Sequence, residues 1–99
     1  MLHIVNKSPA QTTSLASCLR LAQDGHTLLL IEDGVYAATT GMAAASGIAA
    51  AAKRLKVVAL QPDLEARGVA GRLIDGVATV DYAGFVDLVA DHSTNQSWL

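Results

Sequence analysis

The sequence has few of the residues that carry covalent chemistry or cross-links. Its 99 residues include one cysteine, two prolines and one tryptophan. A single thiol excludes an internal disulfide and a four-cysteine zinc site. Cys18 is therefore either a small packing residue or a reactive group.

Charge is also scarce, which limits the partners that the chain can bind. Charged residues make up 16% of the sequence, and the formal net charge is -2. A direct nucleic-acid binder needs a basic patch, so this class is excluded. The start of the chain lacks a basic region followed by an apolar run, and the alanine-rich stretch 43–52 is too short to span a bilayer. Together with the lone cysteine, these features predict a protein of the reducing cytoplasm that does not bind membranes.

What the chain has in excess is apolar surface. Apolar residues make up 52% of it, a high fraction for one domain of 99 residues, which has a single small core. We therefore interpret residues 1–99 as one domain, and we expect its surplus apolar surface to be covered by a protein partner.

The apolar pattern alternates between strands and helices along the chain. Strands are predicted at 2–5, 27–31, 56–60 and 77–80, with a short edge strand at 96–99. Helices are predicted at about 13–22, 35–38, 42–52 and 63–67, with an added turn at 71–74 and a last helix capped by Asp81. This order predicts an α/β fold with a mostly parallel sheet of about five strands, flanked by helices.

Polar side chains follow the first three predicted strands, where sites in open α/β sheets usually lie. The three loops are Asn6-Lys7-Ser8, Glu32-Asp33-Gly34 and Gln61-Pro62-Asp63. They could form a polar rim for a ligand. The alternative is that Ser8, Asp33 and Asp63 begin the helices that follow.

No cofactor or metal ion is predicted. The sequence has no glycine-rich phosphate loop after the first strand. His3, His26 and His92 are far apart along the chain and lack the spacing of metal ligands.

Cys18 lies in an apolar stripe of the first predicted helix, with Leu15, Leu19 and Ala22. This spacing favours packing, because free cysteine is among the most buried residue types. A reactive thiol would instead need partial exposure and a positive environment. Spacing favours the first alternative and leaves the second open.

Six segments together resemble the TusB/DsrH family, in family order and at family spacing, over nearly the whole chain. They are LHIVNKSP (2–9), SCLRLA (17–22), LLIEDGVYAA (29–38), LQPDLEARG (60–68), VDYAGFVDL (80–88) and QSWL (96–99). The resemblance is closer to the DsrH form, through Asn6-Lys7-Ser8 and Cys18.

The resemblance implies a single DsrE-like domain that serves as an accessory subunit of a cytoplasmic sulfur relay. Such relays pass a sulfane sulfur between cysteines as a persulfide. The implied partners are homologous DsrE/TusD-like and DsrF/TusC-like subunits, in a heterohexamer, and a downstream DsrC/TusE-like carrier. The end use is either 2-thiouridine synthesis in tRNA or the oxidation of stored sulfur.

The family's main acceptor cysteine, which other subunits carry beyond a strand, is missing from this chain. Asn6, Asp33 and Gln61 stand at the candidate strand ends instead, so catalysis by this chain alone is not expected. Cys18 aligns with a cysteine of DsrH members and is the candidate accessory persulfide carrier.

Trp98 and Leu99 are candidate interface residues, although Trp98 could equally fold back on its own sheet. A further hypothesis is a stand-alone homo-oligomer that binds a small ligand at the carboxyl ends of the strands.

Overall fold

The apolar runs of the sequence form four strands of one parallel sheet in a computed structural model, which describes residues 1–98, and a polar segment near the end of the chain forms a fifth. The strands are β1 (Leu2–Val5), β2 (Thr27–Leu30), β3 (Lys56–Leu60), β4 (Val77–Val80) and β5 (Asn95–Trp98). Their order across the sheet is β4-β3-β2-β1-β5, and every pairing is parallel. The predicted α/β fold with a parallel sheet of about five strands is confirmed.

Five α-helices and two 3-10 helices connect the strands. The α-helices are α1 (Ser14–Leu21), α2 (Ala43–Ser46), α3 (Ile48–Ala51), α4 (Gln61–Ala66) and α5 (Tyr82–Asp91), and the 3-10 helices are Glu32–Ala38 and Ala70–Arg72. The single helix predicted at 42–52 is therefore wrong. Gly47 adopts a left-handed conformation (φ +88°) between α2 and α3, and this conformation ends the first helix. The hydroxyl of Ser46 donates to the Ala37 carbonyl and ties this break to the preceding 3-10 helix.

The two faces of the sheet are covered unequally. On one face, alternate residues of β1, β2 and β3, such as Val5, Leu28 and Val57, join the main core with α1, α3 and the 3-10 helix Glu32–Ala38. On the other face, Leu2, Leu29 and Val58 form a smaller cluster. The side chains of α5 that pack on this smaller cluster are Phe85, Leu88 and Val89. Of the described helices, α5 thus supplies the cover on this second face.

Helix α5 begins at the predicted cap. The Asp81 carboxylate accepts a hydrogen bond from the Gly84 N–H at 2.8 Å, which satisfies one of the free donors at the helix start. Tyr82 and Val86 of this helix are 63% and 64% exposed. Within residues 1–98, no helix is long and apolar enough to cross a membrane.

Candidate functional site

A glycine lets the segment after β2 pass unusually close to the carboxyl end of β1. A Cβ atom built on Gly34 would lie 2.3 Å from the Val5 carbonyl oxygen, a distance that no side chain tolerates. Gly34 lies in the 3-10 helix Glu32–Ala38, so the missing side chain lets that helix cross directly over the end of β1. This approach brings the loops after the first two strands to one edge of the sheet.

The acidic groups at this edge bind a guanidinium of the chain itself. Arg67 Nε donates to Asp33 Oδ1 at 2.8 Å, and Arg67 Nη1 lies 3.8 Å from Asp63 Oδ1. The hydrogen bond that Arg67 donates to Asp33 is the main cause that raises the pKa of Arg67. Asp63 Oδ2 also accepts from the Glu32 N–H at 2.6 Å, and Glu32 is a non-glycine residue with positive φ (+49°). These carboxylates therefore hold the chain together at the strand ends.

Two other residues of the predicted rim, Ser8 and Gln61, also make local contacts. Ser8 Oγ accepts from the Ala10 N–H at 3.2 Å, and Gln61 Nε2 donates to Glu65 Oε1 at 2.9 Å. Asn6 Oδ1 is buried and has no hydrogen-bond partner among the described residues. The polar side chains of the predicted rim lie at the strand ends, and its two aspartates pair with Arg67, a residue outside the three predicted loops.

Cys18 is fully buried in α1 and belongs to the main core. Burial raises the pKa of its thiol to about 11, while the nearby Arg54 opposes this shift. The Arg54 guanidinium donates to the carbonyls of Leu19 (2.6 Å) and Ala22 (2.7 Å) at the end of α1. At neutral pH the thiol is protonated, and the thiolate is the nucleophilic form of cysteine. This environment favours packing over chemistry for Cys18 in the observed conformation.

Two histidines and the tryptophan form a cluster that spacing along the sequence did not predict. His3 Nε2 lies 2.9 Å from His26 Nδ1, and Trp98 Nε1 donates to His3 Nδ1 at 3.2 Å. His3 is 2% exposed, and its pKa is lowered by burial, by His26 and by the amino terminus. The order of the strands explains the cluster, because β1 lies between β2, which His26 precedes, and β5, which carries Trp98. The three residues are therefore far apart along the chain but close together in the folded sheet.

Trp98 lies in β5, where its indole folds back on the sheet, and Leu99 lies outside the described residues. Within residues 1–98, no three potential ligands of the His, Cys, Asp or Glu types converge on a metal site. The described surface also shows no pocket.

Solved structures place the fold in a known class. The chain superimposes on the crystal structure of the ychN protein from E. coli with a TM-score of 0.79, 21% identity and coverage of 97% of each chain. A protein of unknown function from Methanobacterium thermoautotrophicum, MTH1491, gives a TM-score of 0.73 and 16% identity, over 97% of this chain and 95% of that one. At these identities the likeness shows that all three share one α/β fold.

Sequence comparison identifies the family within that class. The profile of the family described as "DsrH like protein" matches residues 7–95. The chain is 41% identical to Protein TusB of Escherichia coli O81 (strain ED1a) over 98 residues, which is 99% of this chain and 100% of that protein. The chain belongs to the DsrH-like family, so the predicted TusB/DsrH membership is confirmed.

Proposed function

We propose that this chain is an accessory subunit of a cytoplasmic sulfur-relay complex, in which it organises subunits that carry the reactive cysteines. Membership of the DsrH-like family supports the relay, and the state of Cys18 supports the accessory role. The one thiol of the chain is fully buried with a pKa of about 11. A persulfide acceptor needs an accessible thiolate.

The chemistry of such a relay shows which reaction step the partner subunits must carry out. An acceptor thiolate attacks the outer sulfur of a donor persulfide, forms a new S–S bond, and releases the donor sulfur as a thiolate. No oxidant is consumed, because one S–S bond replaces another. With Cys18 protonated and out of contact with solvent, this step belongs to a DsrE/TusD-like subunit. The product then passes to a DsrC/TusE-like carrier.

Exposed apolar side chains support the assembly role. Tyr82 and Val86 lie one turn apart on α5 and are 63% and 64% exposed. A pair of large apolar residues on one helix face is suited to contact with another protein. We propose DsrE/TusD-like and DsrF/TusC-like subunits as the partners, with Trp98 and Leu99 as further interface candidates.

Reconstitution of the complex tests the accessory role. Transfer of labelled sulfur to the carrier is measured with three preparations: complete complex, complex without this chain, and complex with Cys18→Ala. We expect transfer to fall without the chain and to persist with Cys18→Ala, because the thiol is not needed for the exchange. Loss of transfer in an intact Cys18→Ala complex would instead identify Cys18 as a working carrier.

Direct mapping of the persulfide tests the predicted carrier role of Cys18. The complex is loaded with sulfur, and each cysteine is examined by mass spectrometry. An added mass of one sulfur at the partner's acceptor cysteine serves as the internal control. We expect no such addition at Cys18, since its thiol is inaccessible; added sulfur there would support the carrier role.

The hypothesis of a stand-alone homo-oligomer that binds a ligand at the strand ends has less support, because Arg67 neutralises Asp33 and Asp63 within the chain. Native mass spectrometry of the chain with and without the partner subunits separates the two hypotheses. We expect a mixed complex with the partners. A homo-oligomer that does not bind the partner subunits would favour the stand-alone hypothesis.

Measuring the final product of the relay distinguishes tRNA thiolation from sulfur oxidation. For tRNA modification, deletion of the gene lowers 2-thiouridine in tRNA. For sulfur oxidation, it slows the consumption of stored sulfur. We favour tRNA thiolation, because the 41% identity to TusB extends over the whole of that protein.

A further inference from the structure

The edge strand β5 is held to the sheet mainly by its backbone hydrogen bonds to β1. β5 pairs with β1 at the edge of the sheet. Asn95, Gln96 and Ser97 are exposed, and Trp98 is the partly buried side chain of this strand. The contacts of the Trp98 indole therefore decide how firmly the strand is held.

We define the His–Trp cluster as Trp98, His3 and His26. The donor and the acceptor of each hydrogen bond in this cluster are fixed. An indole N–H can only donate, so His3 Nδ1 must accept from Trp98 Nε1 (3.2 Å). The proton of neutral His3 is then on Nε2, which donates to His26 Nδ1 at 2.9 Å. The backbone N–H of Gln23 donates to that same His26 nitrogen at 3.2 Å. The cluster is complete with both imidazoles neutral.

Among residues 1–98, His3 forms no ion pair with a carboxylate. β2 and β5 contain no ionisable side chain, and α1 contains Arg20 but no carboxylate. In the loop before β2, Asp24 is 84% exposed and pairs with Arg54 at 3.4 Å. Burial lowers the pKa of His3, and His26 and the amino terminus lower it further.

We propose that the His–Trp cluster is a proton-operated latch, in which protonation of His3 releases Trp98 and loosens β5 from the edge of the sheet. Protonated His3 carries a hydrogen on both nitrogens, so Nδ1 can no longer accept from the indole. The bond from His3 Nε2 to His26 survives, because that nitrogen already donates. The ring of His3 thus stays in place while Trp98 loses its partner.

A cation–π contact does not compensate for the lost hydrogen bond. The ring centroids of His3 and Trp98 are 6.2 Å apart and tilted by 36°, at the limit of about 6 Å within which a cation gains from an aromatic face. Because β5 is an edge strand with exposed side chains, the movement falls on Trp98 and β5. This strand would become available to another sheet edge or chain as the pH falls.

The tryptophan fluorescence of the isolated chain tests the latch, since Trp98 is the one tryptophan of the sequence. Emission and acrylamide quenching are followed from pH 8 to pH 5, with far-UV circular dichroism recorded in parallel. We expect emission at longer wavelength and stronger quenching at acid pH, while the helical signal is retained. His3→Gln keeps an acceptor but does not titrate, so its Trp98 emission is expected to stay constant. An equal change in His3→Gln, or none in the unmodified chain, would overturn the proposal.

Nuclear magnetic resonance of the unmodified chain gives a second test that no substitution can disturb. We expect the indole N–H resonance of Trp98 to move with the same midpoint as the ring resonances of His3. An indole resonance that does not follow His3 would rule out the latch. The test is made on the chain alone and is independent of the sulfur-relay proposal.

Discussion

At the scale of single residues, Gly34 has the least room for a side chain, because it lies against the end of β1. A Cβ atom on Gly34 would lie 2.3 Å from the Val5 carbonyl oxygen, whereas one on Gly71 would meet nothing within 4 Å. Both are glycines of 3-10 helices without positive φ. They form a matched pair that differs in the space available to a methyl group.

We predict that Gly34→Ala lowers the free energy of unfolding by about 3 kcal/mol, because backbone atoms must shift to admit the methyl group. Gly71→Ala should change it by less than about 0.5 kcal/mol. Urea denaturation of the two variants measures both values. Similar stability of the two would contradict the close approach of the 3-10 helix to β1.

The buried thiol predicts a pH dependence in the alkaline range. The pKa of Cys18 is raised to about 11 in the folded chain, so the unfolded chain loses its thiol proton first as the pH rises. Stability is unaffected below the unfolded pKa and falls between it and pH 11. We expect unfolding free energies at pH 8 and pH 10.5 to differ more for the unmodified chain than for Cys18→Ala. Equal pH profiles would show that Cys18 titrates normally.

At the scale of elements, the sequence predicts those that depend on local pattern. The strands were predicted within about one residue, and so was the cap at Asp81, because apolar runs and capping residues act over a few neighbours. The break at Gly47 was missed, since alanine on both sides favours helix and the decisive contact, from Ser46 to Ala37, is tertiary. The polar edge was predicted, but its pairing through Arg67 depends on how α4 meets the 3-10 helix.

The cap of α5 allows a test at this scale. We predict that Asp81→Ala lowers the free energy of unfolding by about 1 kcal/mol, because the Gly84 N–H loses its acceptor. Asp91→Ala, at the other end of the same helix, should be neutral or slightly stabilising, since an acid there opposes the helix dipole. Thermal or urea unfolding measures the two variants, and a greater loss with Asp91→Ala would contradict the assigned cap.

At the scale of the whole molecule, the main feature is the unequal cover of the two sheet faces. Several helices bury the main core, whereas the described cover of the second face is α5. Apolar residues make up 52% of the sequence, and part of that surface lies on the outer side of α5. Among residues 1–98, the large exposed apolar residues are Met1, Leu21, Tyr82 and Val86. Two of the four thus lie together on the helix that covers the second face.

This distribution predicts which face would join the partner subunits proposed above. Tyr82→Ser with Val86→Ser should weaken association with the DsrE/TusD-like and DsrF/TusC-like subunits at least tenfold. The stability of the isolated chain should be nearly unchanged, because both side chains are already in contact with water. Leu21→Ser, at a residue 66% exposed on α1, is the matched control, since α1 packs on the opposite face of the sheet. Binding titrations of the two variants measure the difference. Stronger weakening by Leu21→Ser would place the interface on the α1 side and leave α5 as a solvent-facing helix.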